Sequence, residues 1–207
     1  MGNIIELRRR IIMGGIAPEP SLIPPGYEQI SYITTDGNQS LRTTYEPVLG
    51  DEFHIRFQSL NGVLISAGTG TYSILLIGGF ASNGYNSGWY CKFFSSATYY
   101  VTPNCSPTTW YDIDIDSTGI LTTNNQTFTC STQAELDGTA KTLWIAERKN
   151  GTARYIGNIA EFTITNNGQY KMNLIPCRRL SDQKVGMYDT VSKTFLTSAL
   201  SDFIAGV

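Results

Sequence analysis

From Tyr27 to the end of the chain, apolar and polar residues alternate in short runs separated by turn residues. Successive side chains on a strand point to opposite faces, so a period of two commits a segment to a half-buried sheet and argues against an amphipathic helix. In "EFHIRFQSL", Phe53, Ile55 and Phe57 share one face, while His54 and Arg56 share the other. "EQISYI", "QSLRT", "VLISAG", "YSILLIGGF", "WYCKFF", "TWYDIDID", "GILTTN", "QTFTC", "TLWIAER", "NIAEFTIT", "YKMNLIPC", "VGMYD" and "KTFL" read the same way. Asp36-Gly37, Asn61-Gly62, Asn83-Gly84, Asn150-Gly151 and Asn167-Gly168 supply the turns. A short helical turn is expected at "TQAELDG", residues 132 to 138. About a dozen short strands with polar turns predict an all-β, two-sheet antiparallel sandwich or jelly roll.

Composition narrows the function classes. Only 15% of residues are charged and the formal net charge is −2, so there is no broad basic field for nucleic acid. No apolar run reaches the roughly 18 to 20 residues of a membrane-spanning helix. Cys91, Cys105, Cys130 and Cys177 make no Cys-x-x-Cys pair, and His54 is the single histidine, so neither a zinc site nor any other cofactor is expected. "MGNIIELRRRIIMGG" lacks the layout of a secretory signal, and the thiols are expected to be reduced.

Ahead of the strands lie two segments of different character. Residues 1 to 15 predict a short helical arm, with Asn3 as cap, Glu6 as its box partner, and Gly14-Gly15 as the stop. Ile4, Leu7 and Ile11 share one face of it, and Arg8 stands with Arg9 and Arg10 among its charges. A helix this short is marginal alone in water. It either packs on its own domain or docks on a partner. Residues 16 to 26, "IAPEPSLIPPG", hold four prolines and predict a stiff, extended linker. The sandwich domain then takes residues 27 to 207.

A loop and a histidine are candidates for binding or chemistry. "GFASNGYNSGWY", residues 79 to 90, combines glycines, amides and aromatic rings, as carbohydrate-binding loops on rigid β scaffolds do. There Tyr85 or Trp89 would stack on a sugar face, while Asn83 and Asn86 bond its hydroxyls. The alternative is a surface loop whose rings fold back on the sheet edge. Trp110 and Trp144 read as core or sheet-face residues. Any nucleophile–histidine scheme would have to use His54, which reads as a solvated strand residue.

Two stretches carry a family likeness. "GYEQISYITTDGNQSLRTTYEP" resembles the opening of concanavalin A-like, laminin-G-like jelly rolls of gut bacterial and gut phage proteins, through Ile30, Tyr32, Ile33, Gly37 and Gln39. "NLIPCRRLSDQKVGMYDTVSKTFLTSALSDFIAG" resembles the closing pattern of that group, through Ile175, Pro176, Cys177, Gly186, Tyr188, Asp189 and Phe195. "IGNIAEFTITNNGQ" fits the strand leading into it. The arm is similar to short N-terminal segments of phage and prophage virion proteins. The likeness implies a concanavalin A-like jelly roll; function it leaves open, since the fold serves lectins, hydrolases and spacers alike.

Glycanases of this fold carry a strand of spaced carboxylates, and "DIDID" is similar to it, with Asp112, Asp114 and Asp116. A retaining pair holds its carboxyls about 5 to 5.5 Å apart. Residues four apart on a strand are separated by about 13 Å of backbone. Aspartates are short, and the alternation shows no bulge to bring them together. The simpler reading is a wet sheet face opposite Ile113 and Ile115, leading through Ser117-Thr118-Gly119 into a hairpin. A calcium site is a further reading, although ligands on one flat strand seldom wrap an ion.

The resulting expectation is a non-enzymatic, virion-associated structural or adhesion protein. Residues 1 to 25 would dock on a capsid or tail component, and the jelly roll would be displayed outward, binding host or mucosal carbohydrate, with a homo-oligomer as a further expectation. The alternative is a glycanase using the Asp112–Asp116 strand.

Overall fold

The computed structural model describes residues 22–68, 73–78, 89–96, 99–101, 108–123, 126–130, 134–139, 141–147 and 155–206. The expected helical arm, most of the proline-rich linker and the 79–88 loop lie outside them. Strands, in chain order, are β1 (Tyr27–Gln29), β2 (Tyr32–Asp36), β3 (Leu41–Arg42), β4 (Asp51–Ala67), β5 (Ser73–Gly78), β6 (Trp89–Ser95), β7 (Tyr99–Val101) and β8 (Tyr111–Ile115). They continue as β9 (Ile120–Thr123), β10 (Gln126–Thr129), β11 (Trp144–Ile145), β12 (Ile156–Asn166), β13 (Gln169–Arg179), β14 (Val185–Asp189), β15 (Thr194–Leu196) and β16 (Ile204–Gly206). All their pairings among the described residues are antiparallel. The larger sheet runs β10-β9-β8-β4-β12-β13-β14-β15, with β2 beside β12, β16 beside β2, and β1 beside β13. The smaller sheet joins β3, β11, β4, β5, β6 and β7.

Strand β4 belongs to both sheets. Its first part, from Asp51, pairs with β8 and β12, and from Gly62 onward it pairs with β5 and β11. The turn expected at Asn61-Gly62 is therefore absent, and two expected strands are one strand of 17 residues. Its register shifts against β12 near Asn61 and against β5 after Val63. Bulges of this kind let one strand bend from sheet to sheet. The helical turn expected at 132–138 is also absent from its described part, residues 134–138, which carry neither helix nor strand.

The alternation read from the sequence sets the layers. Phe53, Ile55, Phe57, Ile113, Ile115, Phe162 and Ile164 face inward from the larger sheet, and Ile65, Ile74, Phe93 and Ile145 come from the smaller one; all are buried. Phe53 meets Phe93 edge to face at 5.0 Å, joining the two sheets. The β12–β13 hairpin closes through Asn167 and Gly168, both at positive φ (51° and 73°), as a two-residue type I′ turn requires.

A smaller apolar cluster forms around Ile23, Ile175, Cys177 and Tyr188. Tyr27 packs there against Tyr188 and Phe195, at centroid distances of 5.2 and 5.1 Å. The end of the proline-rich stretch is thus seated on the larger sheet, with Ile23 only 5% exposed.

Candidate functional site

The outward side chains of the larger sheet form a polar ladder. His54 lies opposite Asp114 on one side and Thr163 on the other; Arg56 lies opposite Asp112 and Glu161. His54 Nδ1 is 2.8 Å from an Asp114 carboxylate oxygen, and Nε2 is 3.6 Å from one of Glu161. Hydrogen bonds to Asp114 and then Glu161 outweigh burial and push the imidazole pKa up to about 9. At neutral pH His54 is therefore an imidazolium between two carboxylates.

Each aspartate of the triplet is already engaged. Asp112 faces the Arg56 guanidinium at 3.9 Å. Asp114 holds His54. Asp116 closes the β8–β9 turn: one carboxylate oxygen accepts from Thr118 N–H (2.9 Å), Thr118 Oγ1 (2.7 Å) and Ile120 N–H (2.9 Å). Burial acts to raise its pKa, but the bonds from Ile120, Thr118 and Gly119 prevail and hold it below the usual carboxylate value. The "DIDID" motif is thus two cross-strand pairs and a turn cap. A glycosidase needs a carboxylic acid and a second carboxylate with substrate or water between them. Here the His54 ring stands in the gap between Asp114 and Glu161. Among the described residues, no cluster of histidine, cysteine, aspartate and glutamate has the form of a metal site.

The His54 bridge predicts a pH dependence. Its folded pKa lies above the unfolded value of about 6.5. The stabilisation is therefore fully present below about pH 6.5 and lost as pH rises through 9. With the side chain 35% exposed, solvent screening limits the effect to about 1 kcal/mol. Urea denaturation at pH 6.5 and 9.5 should show a loss larger by about 1 kcal/mol in the native protein than in His54→Gln, which keeps the loss imposed as the buried Cys91 and Cys177 thiols ionise only in the unfolded chain; equal losses in both would remove the bridge as a cause.

Beside this ladder lies a groove of about 670 Å³. It sits where β12 changes partner. Ile156–Ile159 bond to β2, and Phe162–Asn166 bond to β13. Ala160 and Glu161 lie between, at a register shift against β4. The 29–32 segment forms one wall, with Ile30 N–H anchored on the Pro176 carbonyl at 3.1 Å. Asn173 and Thr163 also line it. Trp110 and Tyr32, both half-buried, meet at 5.4 Å with an interplanar angle of 62°. The Arg56 guanidinium lies 5.8 Å from the Trp110 ring centre.

Of the residues singled out from sequence, the structure brings His54 together with Asp114, while Asp112 faces Arg56. Asn83, Tyr85 and Asn86 lie outside the described residues, as do Ile4, Leu7, Arg8 and Ile11; Trp89 opens β6, where only its backbone is described. Trp110 lies on the sheet face, one of the two placements expected of it. Its pairing with Tyr32, 78 positions earlier, has no local sequence signal.

No protein-family model and no curated protein matches the chain in sequence. Among the solved structures that match is one described as a "putative carbohydrate binding protein" from Bacteroides ovatus, with a TM-score of 0.58 at 12% identity. The match covers 86% of this chain and 61% of that one, so this chain spans about three-fifths of that protein's length. At this identity the likeness shows the sandwich fold.

Proposed function

We propose that this protein is a non-enzymatic carbohydrate-binding module, carried on a phage particle by its N-terminal arm. The observation that carries the binding reading is the groove, which has an aromatic pair on one side and polar side chains around it. Sugar sites need that combination, because apolar C–H faces stack on rings and hydroxyls need fixed donors and acceptors. The structural likeness to the Bacteroides ovatus protein supports the same reading. The engagement of Asp112, Asp114 and Asp116 argues against the glycanase alternative. The particle role rests on the sequence resemblance and on the amphipathic arm with its proline-rich linker. The 79–90 loop, with Asn83, Tyr85, Asn86 and Trp89, is a further proposed contact surface, and many copies on one particle would raise weak binding by avidity.

The test is a glycan array read beside a reducing-sugar assay on the same polysaccharides. Retention without release of reducing ends is expected, and Asp114→Asn should change neither. Release of sugar that Asp114→Asn abolishes would establish the glycanase instead. Deletion of residues 1–25 should abolish incorporation into particles while array binding persists; unchanged incorporation would sink the docking role.

A further inference from the structure

Resting on that reading, we infer that the groove where β12 passes from β2 to β13 is a subsite for a neutral pyranose, with Trp110 and Tyr32 as its platform. Trp110 lies just before β8 and Tyr32 opens β2, so each ring is set by a strand rather than by a loop. Their tilted contact at 5.4 Å gives an angled apolar surface instead of two separate rings. Polar groups surround it. Gln29 and Ser31 belong to the wall segment, and Arg56 and Glu161 rise from neighbouring strands. A carboxylate accepts from sugar hydroxyls, a guanidinium donates to them, and an amide does both.

The charges select the class of sugar. Arg56 is the only cation among the lining residues, and Glu161 is the only carboxylate. Arg56 lies opposite Glu161 and has Asp112 3.9 Å away on its other side. Asp112 already answers the Arg56 charge, so a uronate or sulfate entering here would gain no uncompensated cation and would meet the one lining carboxylate, Glu161, which His54 holds at 3.6 Å. A neutral hexose or pentose ring meets no such penalty. The volume, about 670 Å³, suits a short oligosaccharide segment rather than a small ion.

The experiment is an NMR titration of the full chain with neutral hexasaccharides (cello-, xylo-, manno- and malto-series) and with hexagalacturonate. Shifts are expected at the Trp110 indole N–H and at the Ser31 and Ala160 amides with at least one neutral series. Trp110→Ala should weaken that binding at least tenfold, and Trp110→Phe should restore part of it. Gln29→Ala, in the wall segment that ends at Tyr32, gives a second reading that leaves both rings in place, with a several-fold loss expected. Tighter binding of hexagalacturonate, or neutral binding unaffected by both Trp110→Ala and Gln29→Ala, would overturn the subsite while leaving a carbohydrate-binding function in place. Failure of the native protein to retain any glycan on the array would overturn the function and the subsite together.

Discussion

Asp51→Ala should destabilise the fold by about 3 to 5 kcal/mol, among the largest effects expected of any single substitution here. Asp51 is fully buried at the start of β4. One carboxylate oxygen accepts from the Tyr45 hydroxyl at 2.7 Å and from Val48 N–H at 2.9 Å; the other accepts from the Asn166 amide at 2.9 Å. It thus ties the 45–48 loop to the end of β12. Burial, and then the bond to Asp51 and its negative charge, raise the Tyr45 pKa, so the phenol remains a donor. Alanine would strand these donors in a water-poor site, at about 1 to 3 kcal/mol for each one left unsatisfied. Asp51→Asn keeps the shape, and its carbonyl can still accept from Tyr45 and Val48 if the Asn166 amide turns over. Its cost should be about 1 to 2 kcal/mol. Urea denaturation reads both variants. Equal losses would show that shape, not acceptance, is what the position supplies.

Gly186→Ala should cost about 3 kcal/mol for a steric reason. Gly186 sits on β14 opposite Cys177. A methyl group there would collide with the Leu196 backbone carbonyl and approach the Phe195 ring to 3.1 Å. A flexible side-chain end could move aside, but a carbonyl held in the β14–β15 pairing cannot without breaking it. Overpacking of this kind typically costs about 1 to 3 kcal/mol, and a backbone clash lies at the upper end. For a chain of this size the midpoint temperature should fall by roughly 6 to 12 °C. Val191→Ala, at a position 42% exposed, should stay within about 0.5 kcal/mol of the native protein. A Gly186→Ala protein as stable as that control would show that β15 gives way at no cost.

The candidate site was only partly legible. The faces of His54, Arg56, Asp112 and Asp114 follow from alternation, because a strand leaves its side chains no other choice. Their pairing does not, since it depends on which strands become neighbours and in what register. His54 read as a solvated strand residue until β8 and β12 were set beside β4, placing a carboxylate at each ring nitrogen. Trp110 and Tyr32 were each visible, but the groove between them comes from strands far apart in the chain.

By itself, the sequence determined the all-β class, the inward set Phe53, Ile55, Phe57, Ile113 and Ile115, and the Asn167-Gly168 hairpin. Those properties are local: a period of two, and a turn that needs positive φ at two successive residues. Only the tertiary structure decided that β4 continues through Asn61-Gly62 into the second sheet, where local turn chemistry is overruled by pairing with β12 and β5. It alone seated Ile23 on Ile175 and Tyr188, and opened the groove where β12 exchanges β2 for β13. Long-range register carries no local signature, because it is set by how two whole sheets bury their apolar faces against each other.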